Sequence, residues 1–228
     1  MSETRRERLT SGLRAGVPYS VAVALTGIPF GVLAEPVMGT LAPIVFSAVV
    51  FAGAAQFAAT SVLAAGGGAA AAIVAGILLN LRYGPMGVAL APSLRGGAVR
   101  RAAIGQAMVD ASWAMAARAG GRFDPAFMVG ATLPAFPAWI GGTAVGVAAG
   151  DVISDPEALG LDAMFPAFFL ALLVAELRRP GGRAAAAIGA GIALVLIPFT
   201  PPGVPIMAAS LGALVGLWHR ASEAPGDG

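Results

Sequence analysis

The chain of 228 residues contains no cysteine, no lysine and a single histidine, and it is poor in charge. The absence of cysteine excludes disulfides, thiolate metal sites and cysteine nucleophiles. Because His219 is the only histidine, zinc motifs of the HExxH type and Ser–His dyads within the membrane are excluded as well. Charged residues make up 11% of the chain, against roughly 25% in soluble domains. These absences exclude a cytosolic enzyme, a secreted disulfide scaffold and a disordered chain.

The chain is instead rich in apolar residues and glycine. Of the chain, 57% is hydrophobic, 32 residues are glycine, and the mean hydropathy is +0.82. The uncharged residues form long blocks, at 15–34, 36–81, 125–150 and 184–218. Since a membrane helix needs about 20 apolar residues, the sequence predicts an all-α, polytopic integral membrane protein.

The blocks divide into about seven to eight transmembrane helices. Gly66-Gly67-Gly68 and the proline-rich stretch 198–203 predict turns within the two longest runs. Strands are not expected, because the blocks lack the alternation of a barrel strand. The eight predicted helices are 15–34, 41–64, 69–92, 102–119, 125–149, 161–177, 184–199 and 204–218.

A repeated segment indicates the domain organisation. GGGAAAAIVAGILLNL (66–81) and GGRAAAAIGAGIALVL (181–196) are identical at 12 of 16 positions, at an offset of 115. The match indicates either two repeated halves, 15–119 and 125–219, or Ala/Gly low complexity. We predict one membrane domain at 15–219, between a cytoplasmic N-terminal tail (1–14) and a cytoplasmic C-terminal tail (220–228).

All 14 basic residues are arginine, and they cluster between the apolar blocks, which is typical of a topology signal and not of nucleic-acid binding. The positive-inside rule puts both termini and the 178–183 loop in the cytoplasm, and the 35–40 and 151–160 loops outside. Arg95, Arg100 and Arg101 oppose the rule if 69–92 and 102–119 both cross. A re-entrant or surface-lying arrangement of 83–119 would restore it.

The first two spans contain glycine, proline and a lone amide. Gly27, Pro29 and Gly31 predict either a discontinuous helix that exposes backbone to a substrate or a packed kink. Gln56 is interpreted either as a substrate ligand or as a hydrogen-bonding contact between helices.

Two ionisable residues lie within apolar segments. Asn80 and Arg82 end a long uncharged run, and Asp110 shares a helix face with Trp113. Intramembrane charges mark functional sites by default; the alternative is a structural Arg82–Asp110 ion pair. Asp162 is predicted to cap a helix. No catalytic residue, metal site or cofactor is predicted.

These segments together resemble the AzlC family of branched-chain amino acid exporters. The resemblance covers about 27–170 and is carried by five motifs. Two departures stand out: Tyr83 and Ala111 occupy positions where the family often has His and Glu. The motifs are GIPFGVLAEPVMG (27–39), SAVVFAGAAQFAA (47–59), LLNLRYGP (78–85), DASWAM (110–115) and LGLDAMFPAFF (159–169).

The resemblance implies a multi-pass protein of the bacterial inner membrane that exports valine, leucine and isoleucine, together with a small hydrophobic subunit of the AzlD type. Arg82 and Asp110 could hold the two charges of the zwitterion, and Phe30, Phe57 and Trp113 could house its side chain. A non-transporting subunit and a passive small-solute channel component remain alternatives. The expected substrate-binding residues are Gly27, Pro29, Gly31, Gln56, Asn80, Arg82, Asp110 and Trp113.

Overall fold

A computed structural model describes residues 4–119, 122–150, 167, 170, 173–174, 177–178, 181–200 and 204–209. Several predictions lie outside the described residues: the 151–160 loop, the Asp162 cap, most of the 161–177 helix, the end of the last helix, His219 and the C-terminal tail. The helices are α1 (Arg5–Met38), α2 (Leu41–Val50), α3 (Gly53–Ala64), α4 (Ala69–Asn80), α5 (Tyr83–Leu90), a 3₁₀ turn (Ala91–Ser93), α6 (Ala98–Gly105), α7 (Asp110–Ala116), α8 (Pro125–Gly150), α9 (Gly182–Leu196) and α10 (Val204–Ala209).

The helical elements confirm the expected all-α class, with one small exception. Two-residue strands, β1 (Ala117–Arg118) and β2 (Arg122–Phe123), pair antiparallel between α7 and α8. The backbone N–H of Asp124 donates to the carbonyl of Ala116, 2.9 Å away. The expectation that the chain has no strand is therefore wrong here, because the segments that follow α7 and precede α8 pair through ladder hydrogen bonds.

By length and composition, three described helical stretches could cross a membrane: Arg5–Met38, Ala69–Ser93 and Pro125–Gly150. Three predicted spans are not single uninterrupted helices. The segment 41–64 divides at Phe51–Ala52, 69–92 divides at Leu81–Arg82 between α4 and α5, and 102–119 divides between α6 and α7. The last of these breaks is fixed by Ser112, whose hydroxyl accepts from the Val109 N–H and donates to the Ala107 carbonyl. Such side-chain bonds to the backbone compete with helix continuation.

The chain forms two compact units, 1–56 with 80–154, and 57–79 with 155–228. In the first unit, α1 and α8 run parallel with their backbones in contact. An added Cβ on Gly12, Gly16 or Gly31 would overlap a carbonyl of α8, and one on Gly142 or Gly146 would overlap a carbonyl of α1. These glycines form what we call the α1–α8 seam. Small residues permit such close approach of membrane helices.

Helix α1 continues without a break through Pro18, Pro29 and Pro36. The interpretation of 27–31 as a discontinuous helix is therefore wrong, because Gly27, Pro29 and Gly31 are buried in the continuous helix. On the other side of α1, apolar side chains are exposed at a spacing of four residues, as expected for contact with lipid: Leu13, Val17, Val21 and Leu25.

The second unit contains two turns at the predicted places. Gly66, with φ of 81°, lies between α3 and α4, where the triple glycine predicts a turn. Helix α9 ends at Leu196, shortly before the proline-rich stretch, and α10 begins at Val204. An added Cβ on Gly189 of α9 would lie 3.0 Å from the Ala209 carbonyl of α10, so these two helices also pack closely.

Candidate functional site

Gln56 is the centre of a buried polar network in the first unit. Its amide oxygen accepts from the Trp139 indole N–H at 2.9 Å, and its amide nitrogen donates to the Ser47 hydroxyl at 3.0 Å. Ser47 and Thr143 share a further hydrogen bond of 2.8 Å. Trp139 is 5% exposed and the other three side chains are fully buried. Each of the four polar groups therefore has a partner, and we call the set the Gln56 network.

The network lies at the break between α2 and α3. Phe51 adopts a left-handed conformation, with φ of 44°, and its ring packs edge-on against Phe136 at 5.0 Å. A helix break leaves backbone groups without intrahelical partners. The Gln56 side chain satisfies one of them by accepting from the Ala52 N–H at 3.3 Å. Of the first two predicted spans, the second is therefore the discontinuous one.

The α1–α8 seam adjoins the Gln56 network. An added Cβ on Gly27 would lie 2.9 Å from the Trp139 carbonyl, and one on Gly31 would overlap the Thr143 carbonyl. The Phe30 ring stacks on Trp139 with centroids 5.8 Å apart. The structure therefore brings Gly27, Gly31 and Gln56 together, in a region whose polar groups are occupied by protein.

Arg82 and Asp110 form a second polar centre, which we call the charge pair. Arg82 Nε lies 3.1 Å from Asp110 Oδ1, and Nη2 lies 2.8 Å from Oδ2. Arg82 precedes α5 and Asp110 is the first residue of α7, so two helix starts position the pair. The Arg82 side chain is 32% exposed and that of Asp110 is 59% exposed. The bidentate geometry is the strong form of an ion pair, and it remains accessible.

Two further predicted residues lie on the same elements. The Trp113 indole N–H donates to the Met86 carbonyl at 3.3 Å, and its ring lies 4.7 Å from that of Phe123. The side-chain oxygen of Asn80 is buried and accepts no hydrogen bond from the described residues. Asn80 precedes Arg82 by two positions at the end of α4.

The charge pair presents a planar cation and a carboxylate side by side. A free amino acid carries the complementary pair of groups, so the two side chains could exchange their mutual contact for contacts with such a ligand. Among the described residues, no group of three His, Asp or Glu side chains could hold a metal ion.

Sequence reasoning missed Ser47, Trp139 and Thr143. Trp139 and Thr143 lie one helical turn apart in α8, and the Thr143 hydroxyl donates to the Trp139 carbonyl at 2.9 Å. A tryptophan and a threonine four residues apart beside Gly142 were the available signal. Their partner, the amide of Gln56, lies 83 residues away from Trp139, and only the fold reveals the contact.

Comparison with known proteins gives a consistent result. The family model of the AzlC protein matches residues 18–153. An uncharacterized membrane protein of Archaeoglobus fulgidus is 32% identical over 213 residues, which are 90% of this chain and 94% of that protein. The branched-chain amino acid transport protein AzlC of Bacillus subtilis is 24% identical over 92% of this chain and 87% of its own length. The inner membrane protein YgaZ of Escherichia coli is 27% identical over 82% of each chain. No solved structure matches the chain.

Proposed function

The chain belongs to the AzlC family, a membrane protein family related to branched-chain amino acid transport, and from that premise we propose that it exports branched-chain or other neutral amino acids across the bacterial inner membrane. Valine, leucine and isoleucine are the proposed substrates. The charge pair carries the proposal, because Arg82 and Asp110 meet in a bidentate contact that stays partly exposed.

The charge pair would bind a zwitterion by exchange. In the empty state each side chain neutralises the other. In the loaded state the substrate carboxylate accepts hydrogen bonds from Nε and Nη2 of Arg82, and the substrate ammonium donates to Asp110. Charge is conserved in this exchange, so neither side chain loses its partner of opposite charge. The buried oxygen of Asn80 could accept from the same ammonium.

Selectivity would be modest. The ring of Trp113 and its neighbour Phe123 provide an apolar surface within the same unit as the charge pair. Such a surface separates side chains by about 1–3 kcal/mol per methylene. We therefore expect valine, leucine and isoleucine to compete with one another, and charged amino acids to compete poorly.

The proposal extends to topology and partners. Both termini are proposed to be cytoplasmic, and a small membrane protein of the AzlD type is the proposed second subunit. The parallel course of α1 and α8 supports two halves in parallel orientation, because Gly16 meets Ala131 and Gly31 adjoins Gly146, each at the offset of 115 that the repeated segment has.

The test is counterflow in proteoliposomes. The purified chain is reconstituted with and without the small subunit, loaded with unlabelled leucine and given trace labelled leucine outside. A carrier accumulates label transiently and saturates, whereas a passive channel shows neither behaviour. Absence of counterflow under both conditions would contradict the transporter and favour a non-transporting subunit.

Two variants connect the test to the site. Asp110→Asn should abolish gradient-driven accumulation, because the ammonium or a coupled proton loses its acceptor. If the pair is only structural, the variant should lose stability, and the double variant with Arg82→Gln should recover expression without any effect on transport. Arg14→Gln, an exposed position on α1, is the matched control and should transport normally.

A further inference from the structure

A cavity of about 600 Å³ lies at the end of the first unit where α1 and α8 begin. Its wall combines residues from four separate parts of the chain: the start of α1, the 3₁₀ turn with the loop that follows it, α6, and β2 with the start of α8. Five arginines contribute to the lining, namely Arg5, Arg8, Arg95, Arg100 and Arg122.

The positive charge of the cavity is poorly compensated. Among the described residues, Asp124 is the one acidic residue in the lining. One of its oxygens accepts from the N–H groups of Ala126 and Phe127, each at 3.1 Å, and so caps α8. The other lies 3.9 Å from Arg8 and 3.9 Å from Arg118. This single carboxylate is therefore shared between a helix end and two guanidinium groups.

The other four lining arginines have no carboxylate partner among the described residues. Within the described parts of the chain, Arg95, Arg100 and Arg122 form no ion pair, and neither does Arg5. Arg8 Nε is buried and donates no hydrogen bond to a described residue. A buried donor without a hydrogen bond costs free energy, and at 3.9 Å the contact of Arg8 Nε with Asp124 is too long to supply one, so an acceptor from outside the chain would stabilise this arrangement.

The convergence of these arginines on one cavity is more than a topology signal requires. The positive-inside rule asks only that the arginines lie on one side of the membrane, and like charges repel when they converge. Here Arg100 and Arg122 line the same cavity as the N-terminal arginines, although they lie about a hundred positions further along the chain. Apolar side chains, including Leu9 and Val129, complete the wall, so an anion with an apolar portion would fit it.

We propose that this cavity binds a phosphate-bearing anion. The guanidinium fork matches two phosphate oxygens at once. The volume lies within the range of about 300–1,000 Å³ that small-molecule sites occupy. The phosphate could belong to the headgroup of an acidic phospholipid or to a soluble phosphate compound.

The experiment measures thermal unfolding of the whole chain in a neutral detergent. One arm adds phosphatidylglycerol, with phosphatidylcholine as the neutral lipid. The other adds sodium pyrophosphate, with sodium chloride at equal ionic strength. An upward shift of the melting temperature with phosphatidylglycerol alone identifies a lipid headgroup, and a shift with pyrophosphate identifies a soluble source. No shift in either arm would overturn the proposal.

Variants locate the effect. Arg100→Gln and Arg122→Gln should each weaken binding about tenfold, the value of one charge-assisted hydrogen bond. Arg101→Gln and Arg6→Gln are matched controls, because each is the exposed neighbour of a lining arginine and does not line the cavity itself. Equal weakening in controls and lining variants would show general surface attraction and would overturn the site.

A third kind of variant should raise the affinity for the anion, and a rise in affinity cannot be explained by loss of folding. Asp124→Asn removes a carboxylate from the lining, while asparagine still caps a helix. Its melting temperature without ligand is compared directly with that of the wild type, and its affinity for the active anion should rise severalfold. An unchanged or lower affinity in a folded Asp124→Asn protein would contradict the electrostatic basis of the proposal.

Discussion

The Gln56 network and the charge pair are both built from polar side chains at helix breaks, yet they differ in accessibility. In the network, Ser47, Gln56 and Thr143 are fully buried, and protein groups accept or donate every described bond. In the charge pair, the side chains are 32% and 59% exposed. Both centres satisfy their own hydrogen bonds, but only the second can exchange them for bonds to a ligand.

The difference in exposure distinguishes a structural role from a binding role, although both centres are polar residues within apolar segments of the sequence. A buried, satisfied network adds rigidity and fixes a unique packing, and a ligand could enter only after several hydrogen bonds break. An exposed bidentate pair adds little stability, because solvent weakens its attraction, and it presents two opposite charges to a substrate. We infer that the network and the α1–α8 seam hold the scaffold, and that the charge pair performs the binding.

The α1–α8 seam should give the largest effect on stability. Gly142→Ala puts a Cβ into the Ala24 carbonyl, and overpacking of this kind costs about 3 kcal/mol. We expect a lower melting temperature and little reconstituted protein. The neighbouring variant Gly141→Ala, where nothing lies within 4 Å of the added Cβ, is the control. Equal melting temperatures for the two variants would show that the helices can separate without cost.

Arg82→Lys should reduce transport strongly with little change in stability. Lysine keeps the charge but loses the planar fork that holds two carboxylate oxygens. We expect counterflow to fall about tenfold, the value of a hydrogen bond to a charged group, while the melting temperature stays within a few degrees. Arg101→Lys, at an exposed position, provides the comparison. Normal counterflow in Arg82→Lys would remove the carboxylate-binding role.

Gln56→Leu should lower the stability of the protein and leave transport by the folded protein intact. It leaves the Trp139 N–H and the Ser47 hydroxyl without their partner, at a cost of about 2 kcal/mol. Transport per folded molecule should persist. Gln106→Leu, the same change at an exposed position, controls for the loss of an amide. If folded Gln56→Leu protein binds no substrate, Gln56 belongs to the binding site and the division of roles is wrong.

The two tryptophans offer the finest comparison. Trp139→Phe and Trp113→Phe each remove one indole N–H, to Gln56 at 2.9 Å and to the Met86 carbonyl at 3.3 Å. The Trp139 bond is buried and the Trp113 bond is only part-buried. We expect Trp139→Phe to lower the free energy of unfolding by about 1 kcal/mol and Trp113→Phe by less. Thermal melts of both proteins, measured in parallel, test this order.

Particular residues show how far the sequence could be interpreted. Arg82 and Asp110 stand out because charge is rare in apolar runs, and their pairing was one of two alternatives. The break at Phe51 could not be predicted, because phenylalanine in a left-handed conformation is unusual and carries no turn signal. Of the two interpretations of Pro29, the discontinuous helix was wrong, because the missing proline hydrogen bond is tolerated where α8 packs tightly against the helix.

The sequence by itself determined the membrane setting, the helical class and the approximate limits of α8 and α9, because each follows from local composition and from the need to pair backbone groups within lipid. Tertiary structure alone decided which polar residues meet. Trp139 reaches Gln56 across 83 positions, and five arginines from separate segments converge on one cavity. Contacts of this kind depend on how helices pack, and spacing along the chain does not encode them.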